Sequence, residues 1–426
     1  MSRIVIAGFG AAGYAAMMAV RKTDSKAEIV IIDPKETDIF HPCGLPYSLS
    51  GGMDENKLTA NIHLESMGVT RIRAELVSVL HEEKKVITSE ADTQLTFDKL
   101  IIATGAAPFV PPIANASELL GRGLYTFANI NDLIAIKNSL ANKSKCIIIG
   151  GGAIGIETAA ALARIAQSVI LIEAREQLLP GVLDADMAET IKAKLESLNV
   201  KVYCNSIVTQ VLGSDKFEGI KTETETFQAN LCILATGFVG KSLKVNSFME
   251  TSQKNIYAAG DCVINNSIID QQPINVKTAA SAYKQGRIAG INAAGGHAKY
   301  GGSSGTFATK INELEAAAVG FTSALCREHG FEPVSGKIKM PYLPEYFAAS
   351  APIAVKIIAD KKTSRILGAQ AVGQNATAEI NLVSLAIQQG LTVEQLLETE
   401  TAYCPAVNEL DSPLLKAAEF CVRKMK

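Results

Sequence analysis

The chain opens with Arg3-Ile4-Val5-Ile6-Ala7-Gly8, a continuous apolar, β-branched run with no polar alternation. Such a run reads as a strand buried on both faces, as in parallel sheets. A small-residue stretch through about Arg21 follows as a helix, and Glu28–Ile32 follows as a second buried strand that ends on Asp33. The same order returns later. Residues 145–150 form a buried strand, a helix runs to about Ala166, and the strand Ser168–Ile172 ends on Glu173. Residues 98–105 and 230–237 are a second matched pair, apolar strands that finish in Ala103-Thr104-Gly105 and Ala235-Thr236-Gly237. Beyond about residue 316 the pattern changes to strands at 353–359 and 366–372, a helix near 378–389, and a polar turn into Tyr403. Repetition over more than a hundred residues points to duplicated domains, because solenoid repeats have periods of about 20–50 residues.

The turn after each leading strand carries the chemistry. The first reads Gly8-Phe9-Gly10-Ala11-Ala12-Gly13 and the second Gly150-Gly151-Gly152-Ala153-Ile154-Gly155. In G-x-G-x-x-G the first glycine makes the tight turn. The second lets a pyrophosphate reach the backbone at the helix N-terminus, and the third lets helix and strand pack closely. An acid closing the next strand accepts from a ribose hydroxyl, the place of Asp33 and Glu173. The expected fold is therefore α/β, with two Rossmann-type dinucleotide-binding units and a C-terminal α+β segment. Glu173 favours NADH, since a carboxylate repels a 2′-phosphate; Arg175, two residues on, leaves NADPH as the alternative.

Composition narrows the partners. The 41 basic and 43 acidic residues leave a net charge of −2, with no basic field for a nucleic acid. No apolar stretch approaches the roughly 18 residues of a membrane span. The first strand starts directly behind Met1, so no leader is expected. The 8 cysteines contain no C-x-x-C pair, which suits free thiols and a cytoplasmic setting. No metal site is expected.

Asn255-Ile256-Tyr257-Ala258-Ala259-Gly260-Asp261 resembles the late FAD motif of two-dinucleotide flavoproteins. With both glycine loops, the chain resembles the pyridine nucleotide-disulfide oxidoreductases over nearly its whole length. The resemblance implies FAD on residues 1–112 and 245–315, NAD(P)H on an inserted unit at 113–244, and a dimerisation domain at 316–426, hence a homodimer. It places Gly260 and Asp261 at the flavin ribityl chain, Asp33, Pro34 and Lys35 on the ribose side, and Glu157 near the flavin. Glu157 reads equally as a solvent-exposed helix residue.

His41-Pro42-Cys43-Gly44-Leu45-Pro46-Tyr47 resembles the segment of the single-cysteine subgroup, which includes coenzyme A-disulfide reductases, NADH oxidases, NADH peroxidases and persulfide reductases. There the cysteine lies beside the flavin, which puts Pro42 at the cofactor too. Dithiol relatives carry a second cysteine five residues away, where this chain has Asp38 and Ser48. Cys43 is thus expected to act alone, as a thiolate with its pKa lowered by a following helix. His41 could add charge or move a proton, or be an ordinary surface histidine. The dithiol enzymes bring a histidine to the partner subunit's site; here that register reads Tyr403-Cys404-Pro405. Tyr403 is then expected to stabilise a sulfur leaving group in trans, and Cys404 is a candidate resolving thiol.

Departures shape the acceptor. NADH peroxidases and many oxidases carry a histidine where Ala11 stands, so peroxide chemistry would lack its proton donor. Ala153 replaces an aromatic gate. Arg21 and Lys22 match basic positions of coenzyme A-binding relatives, and Arg71 and Arg73 are further candidates for its phosphates; all four read otherwise as ordinary surface charge. The expected function is FAD-dependent reduction of a disulfide, persulfide or coenzyme A-disulfide by NADH. An oxygen-reducing NADH oxidase and a flavin-binding redox sensor or electron-transfer partner are the alternatives.

Overall fold

A computed structural model describes residues 2–90, 94–140, 143–347 and 350–426. The leading strand, Arg3–Ala7, lies in the middle of a five-stranded parallel sheet. Its neighbours are Glu28–Ile32, in register Val5 to Val30, and Lys99–Ile102, in register Val5 to Leu100. Val69–Ile72 and Ile256–Ala258 close the two edges. Ile4, Val5 and Ile6 are fully buried, which is why the sequence shows no alternation there. Burying each such side chain contributes roughly 1.5–3 kcal/mol.

The second sheet repeats the plan. Lys145–Ile149 sits centrally between Ser168–Ile172 and Leu231–Leu234, with Val200–Tyr203 and Leu124–Thr126 outside, all parallel. In both sheets the chain leaves the central strand towards one edge and later returns to the other side. That reversal opens a crevice at the carboxyl ends of the strands, where nucleotides bind in such sheets. Two antiparallel strands, Ala106–Pro108 and Phe238–Gly240, carry the chain out of the first unit and back. They follow directly on the two Ala-Thr-Gly phrases, so each phrase marks a domain crossing.

The third sheet is antiparallel, in the order Phe307–Ile311, Leu314–Gly320, Ile366–Gly373, Pro352–Asp360, Pro333–Pro341. It is covered by helices Ala376–Gln388 and Pro413–Met425. The sheet takes in Phe307–Ile311, ahead of the expected boundary at 316, because a tight turn pairs this strand with the next one. The helix after the second glycine loop ends at Leu162, short of the expected Ala166.

One apolar cluster joins all three units. Leu45, Leu49 and Leu58 from the Cys43 segment pack with Ile156 and Ala160 of the second unit and with Ile311 and Val372 of the C-terminal sheet. A polar join runs beside it. Lys356 Nζ lies 2.7 Å from Asp184 and 2.8 Å from Asp186, and the Ser323 hydroxyl donates to Asp184 at 2.6 Å. Among the described residues, no helix is long and apolar enough to cross a membrane.

Candidate functional site

The two glycine loops are built alike. Gly8 and Gly150 adopt φ +97° and +111°, and a Cβ there would sit 2.2 and 2.4 Å from the carbonyl oxygens of Ala103 and Ala235. The small alanines of the Ala-Thr-Gly phrases are what the loops lean on. A Cβ on Gly13 or Gly155 would fall 2.0 or 1.9 Å from Gly8 O or Gly150 O, so only glycine lets the helix start this close to its strand. At Gly10 and Gly152 no protein atom lies within 4 Å of such a Cβ. Each loop therefore presents bare backbone at the start of a helix, Ala11–Thr23 or Ala153–Leu162, with the positive end of the helix dipole behind it. Ala11 and Ala12 open the first helix, and Ala153 and Ile154 open the second.

The acids brace these loops. Asp33 Oδ2 accepts from Phe9 N at 2.6 Å, and Glu173 Oε2 accepts from Gly151 N at 2.6 Å. Lys35 Nζ also reaches Asp33, at 2.7 Å, and Pro34 between them is exposed. The loop geometry fits two dinucleotides. The Thr104 hydroxyl is buried without a protein partner, which suits a polar ligand group beside the first loop. Gly260 and Asp261 follow the edge strand Ile256–Ala258. Gly260 N donates at 2.8 Å to Gln285 Oε1 of the 15-residue helix Ala279–Ala293, whose N-terminus is capped by Thr278.

Cys43 lies in a 3-10 turn, Pro42–Gly44, ahead of a helix of only five residues, Leu45–Leu49. Its surroundings correct the expectation of a lowered pKa. The Cys43 thiol is pushed up, first by the protein crowded around it and then by the carboxylates of Glu157 and Asp261. One short helix turn does not outweigh two negative charges. The His41 carbonyl caps the 3-10 turn by accepting from Gly44 N at 3.1 Å, its N–H donates to Leu58 O at 2.8 Å, and the residue is exposed. The Tyr47 hydroxyl is raised by burial, by Glu157 and by Cys43. Glu157 thus acts electrostatically on both Cys43 and Tyr47, and Asp261 on Cys43.

Glu157 is not a solvent-exposed helix residue. It is partly buried, and its Oε1 accepts from the Thr309 hydroxyl at 2.6 Å, across to the C-terminal sheet. Burial pushes its carboxyl up, against the lowering effect of Thr309. Burial also raises Asp261, while Lys277 works against that shift. Thr309 and Lys277 were not singled out by the sequence, and Tyr47 entered only as the last residue of the Cys43 segment. Thr309 sits on an unremarkable edge strand, and only the fold brings it to Glu157. The Thr278-x-x-Ser281 cap ahead of a helix is one signal the sequence did carry.

The proposed phosphate cations have other tasks. The Arg21 guanidinium donates to the carbonyls of Ser25 (2.7 Å), Ala27 (3.0 Å) and Gly68 (3.1 Å). Arg71 is buried between Asp33, Asp38 and the Lys35 carbonyl. Both arginines tie the first unit together. A phosphate would have to displace those bonds, so the structure lends the substrate role no support. Lys22 is exposed. Tyr403 and Cys404 are exposed on a loop of the C-terminal domain. Within the chain, no disulfide joins Cys404 to Cys43. Cys146 and Cys232 are buried in strands, and burial pushes Cys146 up to about 12, as core thiols behave.

Residues 2–286 match the pyridine nucleotide-disulphide oxidoreductase model, and residues 306–411 match the dimerisation domain of the same family. The chain belongs to the pyridine nucleotide-disulphide oxidoreductase family. This oxidoreductase is 29% identical to an NADH oxidase of Methanocaldococcus jannaschii over 99% of both chains. It is 28% identical to an NAD(P)H coenzyme A polysulfide/persulfide reductase of Pyrococcus horikoshii, over 98% of this chain and 97% of that one. The structure of an NAD-dependent persulfide reductase from A. fulgidus superposes with a TM-score of 0.93 at 28% identity. That match covers 99% of this chain and 83% of the other. The family and these relatives make the protein an FAD-dependent NAD(P)H oxidoreductase, a flavoprotein enzyme of the single-cysteine subgroup.

Proposed function

We propose that the protein reduces sulfur–sulfur bonds, in a disulfide, a persulfide or a coenzyme A-disulfide, with NADH as the donor and Cys43 as the sulfur that takes the acceptor. The observation that carries this is Cys43 itself. It is accessible, has no second cysteine bonded to it, and shares its surroundings with Asp261 of the first unit and Glu157 of the second. A thiol placed where the two nucleotide units meet is positioned to receive electrons and hand them to a bound sulfur.

FAD on the first unit would supply two-electron transfer between nicotinamide and sulfur. The chain does the rest. The Gly8–Gly13 loop, with Asp33 behind it, holds one pyrophosphate and ribose. The Gly150–Gly155 loop, with Glu173 behind it, holds the other, and its carboxylate disfavours a 2′-phosphate. The Cys43 sulfur attacks the acceptor and keeps one of its sulfurs as a mixed disulfide, while the acceptor's S–S bond breaks and its other sulfur departs as the first thiol. As a homodimer built on the C-terminal domain, each protomer would lend Tyr403 and Cys404 to the other's site; their exposure on that domain supports this.

Oxygen is the second reading, because a relative of equal similarity is named NADH oxidase. Ala11, where peroxide chemistry would want a proton donor, weighs against it. The test follows NADH consumption without air, using coenzyme A disulfide, polysulfide and a small aromatic disulfide, and then with oxygen alone. Turnover of sulfur acceptors supports the proposal. Turnover with oxygen only, or no turnover despite a reducible cofactor, overturns it.

A further inference from the structure

Gly151 is clamped at both polar groups of its backbone. Its N–H donates to Glu173 Oε2 at 2.6 Å, and its carbonyl accepts from Leu179 N at 2.9 Å. The matched residue of the first loop is Phe9. Its N–H donates to Asp33, and its carbonyl accepts from Lys35 Nζ at 3.2 Å. The two clamps differ in what holds them. Lys35 is fixed inside the first unit by its ion pair with Asp33. Leu179 belongs to the segment that leaves Glu173 and runs to Asp184. Its backbone takes a left-handed φ of +50°, which a residue with a side chain keeps only where its surroundings hold it.

Those surroundings lead to the C-terminal domain. Val182 N and Leu183 N donate to Leu179 O at 3.0 and 3.1 Å, so the segment turns straight into Asp184. Asp184 stands at the N-cap of the helix Ala185–Ser197. An aspartate there ordinarily spends its side chain on the free N–H groups of its own helix. Asp184 makes no such bond. One of its carboxylate oxygens accepts from Ser323 N at 2.9 Å. The other accepts from the Ser323 hydroxyl at 2.6 Å and from Lys356 Nζ at 2.7 Å. Its main-chain N–H donates to the buried Gln370 Oε1 at 2.8 Å. The helix Ser323–Glu328 and two strands of the C-terminal sheet therefore converge on this one residue.

We propose that Asp184 is a positioning residue for the nicotinamide dinucleotide, through which the C-terminal domain holds the second glycine loop in its binding shape. The inference rests on the assignment of NADH to that loop under the proposed function. Without the anchor the Leu179 turn is free to relax, and Gly151 loses the donor on its carbonyl. The loop must then be ordered at the moment of binding, which weakens the complex. The first loop, braced by Lys35 from within its own unit, is untouched. A change in the C-terminal domain thus reaches one dinucleotide and not the other.

The test uses FAD-loaded protein and ADP-ribose, which carries the pyrophosphate and both riboses without the reducing ring. Calorimetric titration should show a Kd at least about fivefold higher in Asp184→Ala and about threefold higher in Ser323→Ala, as expected for losing about one net hydrogen bond. Ser323→Thr keeps both donors and should bind as the native protein does. The double variant D184A/S323A should bind like D184A alone, because Ser323 acts through Asp184. FAD content and the limiting rate of flavin reduction at saturating NADH should stay within about twofold of native, the pattern of a pure binding defect. Native affinity in S323A and in flavinated D184A, or additive losses in the double variant, overturns the proposal. So does FAD loss in step with ADP-ribose affinity, since the anchor would then serve the whole fold. Gly155→Ala tests the underlying reading separately. Native ADP-ribose affinity in G155A would sink the assignment of NADH to this loop, whereas weakened binding in G155A alone would sink only the role of Asp184.

Discussion

Phe9 donates its main-chain N–H to Asp33 at 2.6 Å, and Gly151 donates to Glu173 at the same distance in the second unit. The acid that closes each second strand is therefore part of the loop's own scaffold. It holds the turn in shape before any nucleotide arrives, which lowers the ordering cost of binding.

The duplicated loops can be separated by mutation. A Cβ at Gly13 or Gly155 meets a backbone carbonyl at 2.0 or 1.9 Å, which the backbone cannot relieve without moving the helix start. Gly13→Ala should purify without FAD. Gly155→Ala should keep FAD and raise the Kd for NADH at least about tenfold, ~1.4 kcal/mol. Flavin absorbance and NADH titration decide this. A fully flavinated, active G13A would refute the assignment of FAD to the first loop.

Cofactor choice turns on the charge of Glu173. Glu173→Gln keeps an oxygen for Gly151 N and removes the repulsion of a 2′-phosphate. The ratio of kcat/KM for NADH over NADPH should fall by about tenfold, on the order of 1–2 kcal/mol. An unchanged ratio would show that the carboxylate does not read the ribose.

The join between the second unit and the C-terminal domain depends on Lys356. Its side chain and that of Asp184 are about nine-tenths buried. Lys356→Met would leave that carboxylate buried and unpaired, at a cost of ~3 kcal/mol. Urea unfolding of the FAD-loaded protein should show the loss, and a variant as stable as the native chain would contradict it.

Glu379 gives a pH test. Burial raises its carboxyl above the ordinary 4.5. The folded chain then binds that proton more tightly than the unfolded chain, so stability falls as pH rises from about 4.5 through the folded value. Glu379→Gln removes this cost. The variant should melt above the native protein near pH 7–8 and lose its advantage near pH 4. The opposite trend would show that Glu379 is stabilised as an anion.

Much of this fold was legible because its signals are local. A parallel strand buried on both faces writes itself as Ile4-Val5-Ile6, and a tight loop demands Gly8 and Gly13 in fixed places. Asp33 and Glu173 stand out as acids placed directly after short apolar strands that each follow a glycine loop. The state of Cys43 was not legible, because it is set by Glu157 and Asp261, which arrive from distant parts of the chain. The tasks of Arg21 and Arg71 were hidden for the same reason, since their partners are carbonyls and acids on other loops. Thr309 was beyond reach altogether, being one threonine on an edge strand that the fold lays against Glu157.

The central claim is that electrons from NADH leave through the sulfur of Cys43. The direct measurement compares native protein and Cys43→Ser, both loaded with FAD and kept free of air, for NADH consumption with a disulfide acceptor. The account predicts that C43S retains FAD, is still reduced by NADH, and loses disulfide turnover entirely. Disulfide turnover by C43S at the native rate would contradict it.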